Sequence, residues 1–128
     1  RNIYWLIAGV INFLTALLHA IGGQLELVNP LMNSSLTDQI KAEWIGGWHI
    51  ITIILFSTSY LLIRNGLDRN GTQQTETIKF IGVLYVLFSL PFVVTSLAYQ
   101  LLAPQWILLL PIGVLILIGY KKSRINNG

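Results

Sequence analysis

The sequence predicts an all-α integral membrane protein: a four-helix bundle of up-down topology with both termini cytoplasmic. Three observations carry this. Of 128 residues, 54% are hydrophobic and only 10% are charged, where an ordinary soluble domain is about 25% charged. Charge-free stretches run from Ile3 to Gln24, from Trp44 to Ile63, and from Phe80 through Gln100 to Tyr120, and about 20 apolar residues suffice to cross ~30 Å of hydrocarbon. Finally, Arg1, Arg64, Arg69, Lys79, Lys121, Lys122 and Arg124 fall on one side of these stretches and Lys41 alone on the other, a strong positive-inside bias. The expected setting is a bacterial inner membrane. The expected organisation is a single domain, 1–128, with spans at about 3–22, 44–64, 78–100 and 104–120.

The first helix runs outward from Ile3 to Gly22, with Tyr4 and Trp5 as interfacial aromatics at its start. Its apolar run is too long for a secretory h-region and leads into further spans, so it is expected to be retained. The segment 23–33 reads as irregular, because Asn29-Pro30 favours a turn after the glycines. Ser35-Leu36-Thr37-Asp38 reads as a capping-box variant that starts the second helix, which ends near Arg64-Asn65-Gly66. Residues 65–77 read as a polar cytoplasmic loop. The third and fourth helices are separated by Ala103-Pro104-Gln105. They contain Pro91 and Pro111, each of which removes a helix hydrogen bond and crowds the carbonyl four residues back, so kinks are expected near Leu87 and Ile107.

Two short pieces mirror each other: His19-Ala20-Ile21-Gly22-Gly23, and Ile45-Gly46-Gly47-Trp48-His49. At about 1.5 Å of rise per residue, the only two histidines are expected at similar depth near the outer surface. Spacings of three and four place Asn12, Thr15 and His19 on one face, then His49, Thr52, Phe56 and Ser59, then Tyr85, Ser89, Phe92, Ser96 and Tyr99 with Gln100 close by. A polar seam between the first three helices follows. The fourth helix has no such stripe and reads as a lid against lipid or a packing surface for another subunit.

Intramembrane polar groups are costly and mark functional sites, yet Ser and Thr also bond back to their own helix carbonyls, which is the default for most of this seam. Asn12 demands partners more strongly. His19 and His49, with Glu26 as a third ligand, are the candidates for a divalent metal or haem b, since neutral imidazole serves both. Asn12, Thr15, Thr52, Trp48, Ser96, Tyr99 and Gln100 are the candidate pocket lining. The glycine pairs read either as close helix contacts or as space for a ligand. Trp44, Trp48 and Trp106 read as an interfacial belt.

No cysteine is present, which excludes thiolate metal sites and thiol redox chemistry. The sequence pI near 9.5 reflects membrane-flanking cations rather than nucleic-acid binding. No acidic residue lies inside a span, which argues against proton-coupled transport by a membrane carboxylate. Three functions compete. One is a pocket binding metal or haem in the outer leaflet. Another is a transporter or channel, homo-oligomeric through the fourth helix. The last is a non-catalytic subunit or assembly factor whose apolar outer connection (Leu25, Leu27, Leu31, Met32, Leu36) docks a membrane protein partner. An enzyme acting on a lipid or quinone is compatible with the same pocket.

Overall fold

A computed structural model describes residues 1–102 and 105–126. It is all-helical, with four long helices: α1 (Ile3–Gly23), α3 (Asp38–Leu67), α4 (Thr75–Tyr99) and α5 (Gln105–Asn126). A short α2 (Asn29–Met32) extends α1. Three segments are long and apolar enough to cross a membrane: Ile3–Met32, Asp38–Leu67 and Thr75–Tyr99. The expected break at Ala103-Pro104 lies outside the described residues.

The segment expected to be irregular is helical. Residues Gln24–Val28 form a π-helical turn that joins α1 to α2. There the Asn29 N–H reaches the Gln24 carbonyl, five residues back. Proline at position 30 has no N–H to give and would crowd the carbonyl of Glu26 in a regular turn. The wider π turn relieves that crowding, and a Gln24 Nε2 to Asn29 Oδ1 hydrogen bond of 2.9 Å braces it. The next helix starts later than the capping-box pattern suggests. Thr37 is its cap, accepting from the Ile40 N–H, while Ser35 lies in the preceding bend, where the Ser34 hydroxyl donates to the Leu31 carbonyl at 2.6 Å.

The helices pack mainly as two pairs, α1 with α3 and α4 with α5, joined through α1 against α5. Direct contact between α3 and α4 is slight. The apolar fourth long helix is thus central to the packing rather than a peripheral lid, with Ile112 and Ile116 fully buried. Glycines set the closest approaches. A Cβ on Gly66 would meet the Leu6 backbone at 2.6 Å, and one on Gly113 would meet the Gly82 carbonyl at 2.9 Å.

One end is closed. The Asn2 N–H donates to Gly66 O at 2.9 Å, and its side-chain amide donates to Gly119 O at 2.9 Å. Trp5 Nε1 donates to Ile116 O at 3.1 Å, and Tyr120 donates to Glu76 at 2.7 Å. The buried apolar cluster of Trp5, Leu62, Ile78, Ile81, Ile112 and Ile116 belongs to this half. The opposite end is open. Among the described residues, none of α3 before Leu55, of α4 beyond Ser89 or of α5 before Ile112 is buried.

Candidate functional site

The mirrored histidine–glycine pieces meet at the open end, and Trp48 is what they share. Its indole stacks on the His19 ring with centroids 3.9 Å apart and planes 12° from parallel. Gly23, one turn beyond His19, supplies the floor: a Cβ there would come within 2.0 Å of the indole. A carbonyl can only accept, so His19 Nε2 carries the proton in its 3.1 Å hydrogen bond to Trp48 O. Thr52 donates to the same oxygen at 3.2 Å. The other three glycines of the two pairs, Gly22, Gly46 and Gly47, have no side-chain neighbour where a Cβ would stand. Only Gly23 brings the helices together here, so the glycine pairs do not act as two matched contacts.

His49 follows Trp48 and so shares its level, but it lies on an exposed face of α3. Glu26 is also exposed. Among the described residues, no three His, Asp or Glu side chains converge on a point where a metal ion could be held. A zinc-like site needs three or four such ligands. The His19 ring has one face covered by indole, and its Nε2 is committed to a backbone carbonyl, which leaves Nδ1 as its one lone pair. His19, His49 and Glu26 therefore do not assemble a three-ligand divalent-metal site among the described residues. The indole Nε1 of Trp48 is itself buried without a hydrogen-bond partner.

Deeper in the molecule, Asn12 obtains the partners its amide requires. Its Nδ2 donates to Leu55 O at 3.1 Å and to Thr58 Oγ1 at 2.9 Å. Its Oδ1 accepts from the Tyr85 hydroxyl at 2.9 Å, and Tyr85 also lies 2.6 Å from Thr58 Oγ1. One residue from each of α1, α3 and α4 thus forms a polar knot next to the apolar core. Every polar atom in it is satisfied from within the chain, which makes it a clamp rather than an open pocket. Thr58 falls off the expected stripe by one position and has no signal of its own in the sequence.

The remaining expected lining residues are dispersed. Thr15 donates to Ile11 O at 2.9 Å in its own helix, and Thr52 does likewise to Trp48. Ser96 is half-buried, and its carbonyl accepts from Gln100. Tyr99 is 73% exposed. Gln100 takes a left-handed backbone conformation (φ 51°) that ends α4, a terminating role rather than a lining one. Trp44 is exposed, and the Trp106 side chain lies outside the described residues. Compared with known protein families, curated proteins and solved structures, the chain matches none.

Proposed function

We propose that the protein is an up-down four-helix membrane bundle with both termini cytoplasmic, resident in a bacterial inner membrane. In this reading it is a non-catalytic subunit or assembly factor that engages another membrane protein through its outer, open end. The positive-inside bias supports the orientation. The observation that carries the functional reading is the contrast between the two ends. The closed end contains the packed core, whereas the open end leaves α3 before Leu55 and α4 beyond Ser89 without a buried residue.

Lipid can cover exposed leucines and isoleucines, but an exposed imidazole within a helix that crosses a membrane is costly without a partner. His49 is such a group. In the connection that leads into the same helix, Leu25, Met32 and Leu36 are also exposed, at 65%, 52% and 45%, so this end offers apolar contact area as well as a hydrogen-bonding group. Interface cores are built from that combination. The competing functions have less support. The Asn12 knot and the apolar cluster around Trp5 occupy the interior of a single chain, which leaves a solute path only between chains, and no set of three His, Asp or Glu ligands forms among the described residues.

Site-specific photo-crosslinking in native membranes tests this. Probes replacing His49, Ile53 and Thr95 at the open end are expected to give one protein adduct of constant mass. A probe replacing Phe80, which is 63% exposed at the closed end, is expected to give only lipid. Lipid adducts alone at all four positions would reject the subunit reading.

A further inference from the structure

The connection after α3 borders a second candidate site, an open cavity that stands apart from the open end and from any partner there. Residues 68–74 fold back over the end of α3. Asn65 Oδ1 accepts from the Gln74 N–H at 2.7 Å, and Gln73 Nε2 donates to Asn65 O at 3.1 Å. Gly71, at φ 75°, makes the reversal in a region that only glycine enters readily. The resulting cavity of about 510 Å³ is lined by Arg64, Asn65, Asp68, Arg69, Thr72 and Gln74 among others. Ligand pockets run from about 300 to 1,000 Å³.

The charges in this cavity are unbalanced. Asp68 is the one carboxylate lining it, and both its oxygens serve the loop: Oδ1 accepts from Asn70 N–H at 2.8 Å and Oδ2 from Thr72 Oγ1 at 3.0 Å. Among the described residues the only ion pair is Lys79 with Glu76, so neither guanidinium is paired with an acid. Two arginines against one aspartate leave a net charge of +1. The Asn65 amide is likewise committed, donating to Leu61 O at 2.9 Å. The charged donors lining the cavity are the planar forks of Arg64 and Arg69, which match a phosphate oxygen pair, and the side-chain amides of Asn70 and Gln74 line it as further donors.

Position identifies the source of that phosphate. Arg64 follows directly on the apolar run that ends at Ile63, at the level where a helix leaves hydrocarbon for headgroups. Basic pockets at that level on the cytoplasmic side bind anionic lipid headgroups. We propose that this cavity holds the phosphate of an anionic phospholipid between Arg64 and Arg69. The site depends on the membrane orientation but not on partner docking.

Native mass spectrometry of the full chain, released from micelles of equimolar phosphatidylglycerol and phosphatidylcholine, tests this. Wild-type protein is expected to retain one phosphatidylglycerol in preference to phosphatidylcholine. At about fivefold per cation near an anionic surface, Arg64→Gln with Arg69→Gln is expected to reduce that preference by about thirtyfold. Arg124→Gln is expected to leave it unchanged. Should the double variant not fold, Arg69→Gln alone, on the exposed loop, is expected to reduce it about fivefold. Equal retention of the two lipids by wild type, or an unaltered preference in the arginine variants, would overturn the proposal. Displacement of the adduct by inorganic phosphate would assign the cavity to a soluble anion and overturn it too. Open-end crosslinks surviving in the arginine variants would separate this failure from that of the docking reading.

Discussion

His19 lies flat on Trp48, 3.9 Å between ring centroids, while its Nε2 donates to the carbonyl of the same residue. Both interactions tie α1 to α3 at the end where the other helix contacts are thinnest. Gly23 makes the arrangement sterically feasible, because any side chain there would enter the indole. Gly23→Ala is therefore expected to destabilise the protein by about 1–3 kcal/mol through overpacking. Gly22→Ala, which meets no neighbour, is expected to be neutral or to stabilise by up to about 1 kcal/mol through helix propensity. Denaturation monitored by tryptophan fluorescence in detergent checks both, and equal effects at the two glycines would contradict the indole-on-glycine contact.

The two histidines should behave differently. His19→Ala removes a stacked ring and an interhelical hydrogen bond, for an expected loss of about 1–2 kcal/mol. His49→Ala removes an exposed ring and is expected to change intrinsic stability by less than about 0.5 kcal/mol. Its effect should instead fall on partner crosslinking in native membranes. A pair acting as joint metal or haem ligands would lose stability together on either substitution. Melting temperatures of the two variants, measured with and without chelator, distinguish these outcomes.

Tyr85→Phe deletes one hydroxyl of the knot, leaving Asn12 Oδ1 and Thr58 each without one contact. Interhelical hydrogen bonds in membranes average about 0.6 kcal/mol and reach about 1.7, so a cost of about 1 kcal/mol is expected. Asn12→Ala strips partners from Thr58 and Tyr85 together and should cost more. Because the residues share one network, the Asn12→Ala, Tyr85→Phe double variant is expected to be less destabilised than the sum of the singles. Strict additivity in a thermodynamic cycle would show that the network is not a unit.

Composition and charge placement were enough to read the long helices and their apolar character, because hydrocarbon imposes a length and forbids charge. The demand of Asn12 for partners was legible for the same reason: a buried amide must be satisfied. Which residues satisfy it was not. Thr58 is one of several hydroxyls on α3, and only the rotation of α3 against α1 selects it. The helical path through Pro30 was hidden because local turn statistics oppose it, and a π turn is a solution that nearby residues do not announce. The glycine symmetry suggested a paired contact, yet three of the four face open space, since one indole uses only one glycine.

The 68–74 connection should respond to acid. Hydrogen bonds from the Asn70 N–H and then the Thr72 hydroxyl hold the Asp68 carboxyl below the usual aspartate range. A group whose folded pKa is depressed contributes stability that is complete above its unfolded pKa and disappears as pH falls through the folded value. Hydrogen exchange in residues 68–74 is therefore expected to keep its protection at neutral pH and to lose it, after correction for intrinsic rates, as pH falls through the ordinary carboxylate range and below it. Asp68→Asn keeps an acceptor without the charge and should abolish this pH dependence. Loss of protection near neutral pH would implicate a different group.

The absence of cysteine permits a direct test of orientation with single-cysteine variants. Gln39 and Asn70 are both exposed; Gln39 lies in the first turn of α3 (Asp38–Leu67) and Asn70 just beyond its other end. At 1.5 Å per residue that helix is about 45 Å long, enough to separate them across hydrocarbon of about 30 Å. A membrane-impermeant maleimide applied to spheroplasts should label Gln39→Cys at once and Asn70→Cys only after permeabilisation. Reversed labelling would invert the proposed topology and remove Arg64 and Arg69 from the anionic cytoplasmic leaflet. Labelling of both from one side would mean that α3 does not cross the membrane.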